Sequence, residues 1–307
     1  MNKLAFIYPG QGSQKCGMGR GFYEKSTTAK SIYDHADAVL DIDIKTICFE
    51  ENNKLNETEY TQAALVTTCL AMTADMLEKG LKPDVTAGLS LGEYAAIAVA
   101  GGFSYTDAIS LVRQRGIFMH EAARDHAGAM AAVLGMQDKD IEAVLQHIDG
   151  VTIANYNCPG QIVITGTTQA VEQASNKLMQ AGARRVVGLN VSGAFHSPYL
   201  KGAGEKLLKV LRTIEFGTLD IPYVTNVTAE YINDRKAIPG LLAQQVSAPV
   251  KWNQSIESMI KSGVDTFVEI GPGKTLAGFI RKIDKSIKVY NVENPEDADE
   301  VVRELIG

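Results

Sequence analysis

Short apolar runs alternate with longer stretches of helical character along this chain of 307 residues. The first run, KLAFIY, is typical of a buried strand, and the glycine-rich turn PGQGSQ ends it. A longer stretch predicts a helix from about Thr58 to Lys79. Asn56 and Glu59 have capping-box spacing at its start, and Gly80 supplies its stop.

The next elements continue the alternation of strand and helix. DVTAGLS predicts a strand, and the alanine-rich LGEYAAIAVAGG predicts a helix that ends at paired glycines. A further helix is predicted from Tyr105 to Ala123, opened by Ser104 and Asp107 at capping-box spacing. Late in the chain, PYVTNVT, TFVEIG and KVYNV predict three more strands. This order indicates the α/β class.

The stretch from residue 128 to residue 196 has a pattern of its own. AMAAVLGM and VTIANYNCPGQIVITG predict three strands, with a helix in DKDIEAVLQHI between the first and the second. The helix TTQAVEQASNKLMQAG and the strand RRVVGLNV follow. The order β-α-β-β-α-β is ferredoxin-like. We therefore predict a small ferredoxin-like domain at 128–196, inserted into a large α/β domain formed by 1–127 and 197–307.

Composition excludes several classes of function. The chain is 45% hydrophobic and 21% charged with a net charge of −6, so neither nucleic acid nor a membrane surface is an expected partner. No apolar run approaches the roughly 18 residues of a membrane span, and the N-terminus is too short of apolar residues for a signal peptide. Four scattered cysteines without a CxxC pair favour reduced thiols and a cytoplasmic location. The histidines show no HExxH or His/Cys cluster, so no metal is expected.

Two glycine-rich turns resemble cofactor motifs but do not fit them. A GxGxxG pattern from Gly10 needs its third glycine where Lys15 stands, and a phosphate-binding loop ending in GPGKT needs a glycine at Val268. No cofactor is therefore expected. Both turns follow predicted strands, so their backbone N–H groups are free to face a ligand, although GPGKT also fits an ordinary turn into a helix.

VTAGLSLG, from Val85 to Gly92, holds a serine between two glycines at a predicted strand-to-helix junction. In a nucleophile elbow the serine occupies such a turn in a strained conformation, and small residues two positions away on either side avoid backbone clashes. Ser90, Gly88 and Gly92 match those positions. A structural turn rich in small residues is the alternative.

A serine nucleophile needs a base, and His196 is the best-placed histidine. It lies in a loop after a predicted strand, directly before Ser197 and Pro198, which have the positions of a helix start. The alternative is a solvated loop histidine. The other four lie in helical, mostly polar contexts: His35, His120, His126 and His147.

Arg115 is predicted to lie on an apolar helix face, because Leu111, Phe118 and Met119 are its neighbours three and four positions away. A guanidinium on such a face needs an anion. The anion is either a structural carboxylate or the carboxylate of a substrate gripped in bidentate fashion.

Several motifs, taken in order, resemble the malonyl-CoA:acyl-carrier-protein transacylase family. They are FIYPGQGSQ, GLSLGEY, QRGIFMHEA, NYNCPGQIVITG, GAFH, QQVSAPVKW and EIGPGKTL, and together they cover nearly the whole chain. The resemblance implies a hydrolase-like α/β large domain with a parallel sheet and an inserted ferredoxin-like small domain.

The resemblance also implies the site. Ser90 would carry the acyl group as an ester, and His196 would act first as base and then as acid. A main-chain carbonyl at Gln245 would orient the histidine, and the N–H groups of Gln11 and Leu91 would form the oxyanion hole.

Arg115 would bind the free malonyl carboxylate. One departure from the family is Leu89, where a histidine is common before the nucleophile, whereas Phe195 before His196 resembles the malonyl-selective members.

The implied reaction is ping-pong transfer for fatty-acid synthesis, from malonyl-CoA through the enzyme to the phosphopantetheine thiol of acyl carrier protein. A serine hydrolase such as a thioesterase, an acyltransferase of different acyl preference and a non-catalytic carrier-binding protein are the alternatives. Carrier proteins are typically acidic, so docking calls for a local basic patch. Its candidates, which also fit a merely solvated face, are Lys274, Arg281, Lys282, Lys285 and Lys288.

Overall fold

The computed structural model describes residues 3–125, 127–191 and 193–307 and contains two β-sheets. The strands are β1 Lys3–Tyr8, β2 Val85–Gly88, β3 Gly128–Leu134, β4 Val151–Cys158, β5 Gln161–Thr167, β6 Arg185–Gly188, β7 Tyr223–Val224, β8 Tyr231–Ile232, β9 Val264–Ile270 and β10 Lys288–Val292. The large sheet has the order β10-β9-β1-β2-β7-β8 and is parallel except for β8. This arrangement confirms the predicted α/β class.

Helices connect the strands and cover the sheets. They are α1 Arg20–Lys25, α2 Thr27–Val39, α3 Ile44–Phe49, α4 Thr58–Glu78, α5 Gly92–Val99, α6 Tyr105–Asp125, α7 Asp138–Leu145, α8 Thr168–Gln180, α9 Lys201–Leu211, α10 Ile238–Gln245, α11 Trp252–Lys261, α12 Thr275–Ile283 and α13 Pro295–Ile306. In the described part of the chain, no helix has both the length and the apolarity that crossing a bilayer requires.

β1 shows why its sequence is a continuous apolar run. Its side chains alternate between two hydrophobic clusters, with Phe6 and Tyr8 in one and Ala5 and Ile7 in the other. Helix α4 contributes to the first cluster, whereas α11 and α12 contribute to the second. A parallel strand covered on both faces has no polar side, so every position on it favours an apolar residue.

The carboxyl ends of three neighbouring parallel strands bring the candidate loops together. Tyr8 pairs with Gly88, and Ala87 pairs with Val224, so β1, β2 and β7 end side by side. The glycine turn after β1, the serine after β2 and the TNVT segment at the end of β7 therefore lie at the same sheet edge. This is the edge where open α/β sheets bind ligands.

The small sheet confirms the ferredoxin-like arrangement. Its elements run β3, α7, β4, β5, α8, β6, and its strand order is β4-β5-β3-β6 with antiparallel pairing. A backbone connection joins it to the segment before α11. Val250 N–H donates to Ala154 O at 2.8 Å, and Tyr156 N–H donates to Val250 O at 2.9 Å.

The predicted capping box at the start of α4 is wrong. Glu57 is the N-cap, and no side chain caps the helix, because a 3₁₀ turn at Lys54–Asn56 precedes it. The Asn56 side chain instead accepts from Gln14 Nε2 at 3.3 Å, and the Glu59 carboxylate accepts from Arg113 Nη1 at 3.3 Å. Both side chains that the local pattern assigned to the cap thus form hydrogen bonds with residues of other elements.

The predicted start of α6 is confirmed in part. Asp107 N–H donates to Ser104 Oγ at 3.0 Å, as a cap requires. The Asp107 carboxylate, however, accepts from the Ser104 hydroxyl at 2.6 Å. The helix then runs on to Asp125, slightly past the predicted end at Ala123.

Candidate active site

Ser90 occupies the turn between β2 and α5 with φ of 53°, a left-handed conformation that is uncommon for a residue with a side chain. The flanking glycines are sterically required. A Cβ on Gly88 would lie 1.9 Å from Gly92 C, and a Cβ on Gly92 would lie 2.2 Å from Tyr8 O. The turn therefore has the strained backbone and the close packing of a nucleophile elbow.

His196 lies directly against the serine, although 106 positions separate them in the chain. The Ser90 Oγ and His196 Nε2 atoms are 2.7 Å apart, and His196 Nδ1 is 2.9 Å from Gln245 O. A carbonyl oxygen can only accept, so Nδ1 carries the proton and donates. In the neutral imidazole Nε2 is then the acceptor, which is the tautomer that can take the serine proton.

The environment keeps this imidazole neutral. Burial lowers the pKa of His196 to about 4, and the positive charge of Arg115 acts in the same direction. The ring is therefore unprotonated at neutral pH and available as a base.

Arg115 is 1% exposed and reaches the same hydroxyl. Its Nη2 donates to Ser90 Oγ at 3.2 Å and to Gln245 Oε1 at 3.1 Å, while Nη1 donates to Gln62 Oε1 at 2.8 Å. These partners are all neutral, and within the described ranges no carboxylate forms an ion pair with this guanidinium. The structural carboxylate nearest in effect is Glu93, which acts on Arg115 electrostatically but does not bond to it directly.

A cavity of about 260 Å³ opens onto Ser90, His196 and Arg115. Leu89 and Phe279 line it from the large-sheet side, and Asn157 and Val163 line it from β4 and β5 of the small sheet. The site is thus a cleft between the two sheets, mostly apolar, with the reactive groups grouped at one end.

The other histidines that the structure describes are not part of this cleft. His35, His120 and His147 do not line the cavity, and His126 lies outside the described residues. No group of three His, Cys, Asp or Glu side chains suited to a metal ion occurs within residues 3–125, 127–191 and 193–307.

Comparison with known sequences assigns this chain to a family. The acyl transferase domain family matches residues 5–302. The chain belongs to the acyl transferase family.

Members with a named activity cover the chain from end to end. The malonyl CoA-acyl carrier protein transacylase of Bacillus subtilis is 44% identical, over 99% of this chain and 98% of the relative. The crystal structure of MCAT from Streptococcus pneumoniae superimposes with a TM-score of 0.95 at 41% identity, covering 99% of this chain and 100% of the other. A malonyl-transacylase solved in complex with a type II PKS acyl-carrier protein has a TM-score of 0.95 at 33% identity, covering 99% and 100%.

In this acyl transferase, Gln11 and Leu91 lie on the two loops next to the nucleophile. Gln11 lines the cavity, and its side chain is anchored by donation from Nε2 to Thr58 Oγ1 at 3.0 Å. Leu91 precedes the first residue of α5. Throughout the described stretches, neither backbone N–H has a protein acceptor. Both donors are therefore free for an oxygen that develops negative charge beside Ser90.

The sequence reasoning missed three polar residues that hold the site. Asn226 Oδ1 accepts from Ser90 N–H at 2.6 Å, and Asn226 Nδ2 donates to Gly88 O at 2.7 Å. Glu93 accepts from Gln245 Nε2 at 2.7 Å, and Gln62 binds Arg115. A signal for Gln62 was present, because an amide in the otherwise apolar run of α4 needs a partner inside the fold. Asn226 could have been found from its place after a parallel strand.

Proposed function

We infer that this chain transfers the malonyl group of malonyl-CoA to the phosphopantetheine thiol of acyl carrier protein, for fatty-acid synthesis. The observation that carries this inference is the buried Arg115, which has only neutral partners and touches the nucleophile. A malonyl group is an acyl group that brings a carboxylate to this position. The malonyl transacylases to which the chain is similar along its whole length support the same substrate.

In the first half-reaction we propose that His196 Nε2 takes the proton of Ser90 as Oγ attacks the thioester carbonyl. The bond between carbon and Oγ forms, and the carbonyl oxygen becomes an oxyanion held by the N–H groups of Gln11 and Leu91. Collapse of this intermediate breaks the carbon–sulfur bond. CoA leaves as a thiol after taking the proton from His196, and the malonyl ester of Ser90 remains.

The second half-reaction repeats these steps with another thiol. The phosphopantetheine thiol of the carrier protein gives its proton to His196 and attacks the ester carbonyl. The same two N–H groups stabilise the oxyanion, and Ser90 leaves as it regains the proton. Gln245 O keeps the proton on Nδ1 throughout, so Nε2 alone gains and loses a proton.

Arg115 provides the acyl selectivity in this scheme. Burial lowers the pKa of Arg115, yet a guanidinium stays protonated, so the cavity holds a positive charge with no directly bonded carboxylate among the described residues before substrate binds. A malonyl carboxylate gives this guanidinium a directly bonded anion, which an acetyl group cannot do.

The test is intact mass spectrometry of the protein mixed with malonyl-CoA, followed by peptide mapping. We expect one malonyl group, on the peptide that contains Ser90, and none on the Ser90→Ala variant. Addition of carrier protein with its phosphopantetheine arm should then remove the adduct and malonylate the carrier. A malonyl group on another residue would overturn the assignment, and release of free malonate faster than transfer to the carrier would favour a hydrolase.

We propose that acyl carrier protein docks on the C-terminal part of the chain. Helix α12 lines the cavity with Leu276 and Phe279, so a carrier bound beside it would have a short path to Ser90. The five basic candidates are all exposed: Lys274, Arg281, Lys282, Lys285 and Lys288.

We also propose that residues 128–196 form the small domain and that 1–127 and 197–307 form the large one. The strands of the antiparallel sheet, all of which fall between Gly128 and Gly188, support this division. A cytoplasmic location is proposed on the basis of the free cysteines, three of which are buried.

A further inference from the structure

Glu93 is a carboxylate buried beneath the nucleophile elbow. It lies in the first turn of α5 and has 0% exposure. Throughout residues 3–125, 127–191 and 193–307, no lysine, arginine or histidine forms an ion pair with it. Arg115 acts on this carboxyl group only electrostatically, without an ion-pair contact, so its burial is costly and its hydrogen bonds call for an explanation.

Oε2 of Glu93 accepts hydrogen bonds from two residues, and each of these also bonds to a reactive residue. Gln245 Nε2 donates to it at 2.7 Å, and Asn226 N–H donates to it at 3.2 Å. Both donors belong to segments far away in the chain. The carboxylate therefore joins α5 to the end of α10 and to the loop after β7.

The first path leads to the histidine and the arginine. Gln245 presents its main-chain carbonyl to His196 Nδ1 at 2.9 Å and its side-chain Oε1 to Arg115 Nη2 at 3.1 Å. The Gln245 amide also donates to Ser90 O at 2.8 Å. Fixing this amide thus fixes the base, the guanidinium and the serine backbone relative to one another.

The second path leads to the serine. Asn226, which donates its N–H to Glu93, accepts from Ser90 N–H and donates to Gly88 O. These bonds hold both sides of the left-handed turn. The strained φ at Ser90 needs such support, because the surrounding structure must over-determine it.

We propose that Glu93 is a positioning residue for the acyl transfer: its Oε2 is the shared acceptor that holds Gln245 and Asn226, and through them His196 and Ser90. The inference rests on the proposed function. The Glu93 carboxylate does not contact His196 itself. It acts on the histidine through Gln245, which bonds to both. The role depends on an acceptor oxygen at that position, and a side-chain amide oxygen can supply one.

Two substitutions of Glu93 show whether its acceptor oxygen or its ionisable group is what the site requires. Glu93→Leu removes the acceptor with little change of volume, whereas Glu93→Gln keeps an acceptor oxygen and removes the ionisable group. Asp75→Leu is the matched control, because Asp75 is a 5% exposed carboxylate on α4 that pairs with Lys79 and does not line the cavity.

Steady-state malonyl transfer is measured for each variant, together with its thermal unfolding midpoint. We expect Glu93→Leu to lower kcat by about 10- to 100-fold with KM for malonyl-CoA within about threefold, because small misplacements of a catalytic pair cost rates of this order. Glu93→Gln should stay within about fivefold of the parent kcat, since it retains the acceptor. Asp75→Leu should lower the midpoint and leave kcat unchanged.

A second readout covers the case in which Glu93→Leu fails to fold. The NMR resonance of the His196 Nδ1 proton reports its bond to the Gln245 carbonyl. Glu93→Gln should leave that resonance at its parent position, and a displaced resonance or a kcat as low as expected for the leucine variant would overturn the proposal. A folded Glu93→Leu with the parent kcat would overturn it as well. Malonylation of Ser90 in the unmodified protein tests the function separately, so the two ideas can fail independently.

Discussion

The Arg115 guanidinium is almost fully buried, and in the described part of the chain it faces only neutral hydrogen-bond acceptors and the ring of Tyr94. The Glu93 carboxylate acts on this charge without touching it, and burial without a directly bonded anion costs free energy that a substrate carboxylate can recover. Under the proposed function, this arginine is in place for the malonyl carboxylate before the substrate binds.

We expect Arg115→Ala to lower kcat/KM for malonyl-CoA by about 100-fold, corresponding to about 3 kcal/mol for the loss of one partner of a buried charge pair. Activity with acetyl-CoA should change by less than about fivefold, because no carboxylate is involved. Competition between the two substrates measures the change directly. Equal losses for both would remove the carboxylate-binding role.

Arg113 offers the matched control on the same helix. Its guanidinium binds Asp41 at 2.9 Å and Glu59 at 3.3 Å, and it does not line the cavity. Arg113→Ala should therefore lower stability and leave the preference for malonyl over acetyl as it is.

The pH dependence of acylation follows from the low pKa of His196. A base with a pKa of about 4 stays unprotonated far below the ordinary value of 6.5. We expect kcat/KM to hold its neutral value down to about pH 5, where protonation of this base begins to matter. Since the Arg115 charge contributes to the low pKa, Arg115→Gln measured with acetyl-CoA should move the acid limb towards higher pH. An acid limb near 6.5 in the parent protein would contradict this.

At the scale of the element, the strand-turn-helix unit around Ser90 depends on glycine at two positions. Gly88 and Gly92 pack against each other, and a side chain on either would overlap backbone atoms that cannot move away. The turn is thus set by sterics, and the hydrogen bonds from Asn226 and Gln245 then hold it.

Gly88→Ala should destabilise the protein by about 3 kcal/mol or more, since a Cβ placed against backbone requires the elements to separate. Activity should fall with it, because Ser90 would move relative to His196. Gly202→Ala is the control: this glycine lies in α9 with open space around its Cα. It should raise stability by about 0.5–1 kcal/mol, as alanine favours a helix. Chemical denaturation measures both, and a stable, active Gly88→Ala variant would refute the steric argument.

The two ends of α4 show where the local sequence pattern is enough to predict how a helix begins or ends. The predicted end of α4 is confirmed, since Lys79 is the C-cap and Gly80 follows with φ of 94°. Only a residue without a side chain adopts that conformation readily, so the stop is encoded locally. The predicted start at Thr58 is also confirmed, but the predicted capping box is wrong, because Asn56 and Glu59 each have a partner from another element.

At the scale of the whole molecule, the stability of the fold is coupled to pH through two buried groups of the site. Burial raises the pKa of Glu93 from 4.5 to about 7, so the stability it contributes is complete below pH 4.5 and is lost as the pH rises through 7. The lowered pKa of His196 acts in the opposite direction. Its contribution is complete above pH 6.5 and is lost as the pH falls towards 4.

Glu93→Gln should therefore change the unfolding free energy differently at different pH. Because of Glu93, the unfolding free energy of the parent protein falls by about 3 kcal/mol between pH 4.5 and pH 8, at 1.36 kcal/mol per pKa unit. A neutral amide has no such loss, so the variant should gain on the parent by about that amount as pH rises from 5 to 8. Urea denaturation at both values tests this, and a constant difference between the two proteins would show that Glu93 does not titrate in the folded state.

The sequence by itself determined the α/β class, the ferredoxin-like order of elements, the loops that carry the serine and the histidine, and the helix that carries the arginine. These features are local: apolar periodicity selects strand or helix, and glycine spacing selects the turn. The tertiary structure decided how the loops meet. Strand pairing brings the ends of β1, β2 and β7 together, and the fold places His196 and Gln245 against Ser90 across more than a hundred residues. Glu93 acquires its role only there, because a hydrogen bond between distant segments leaves no period or spacing in the chain.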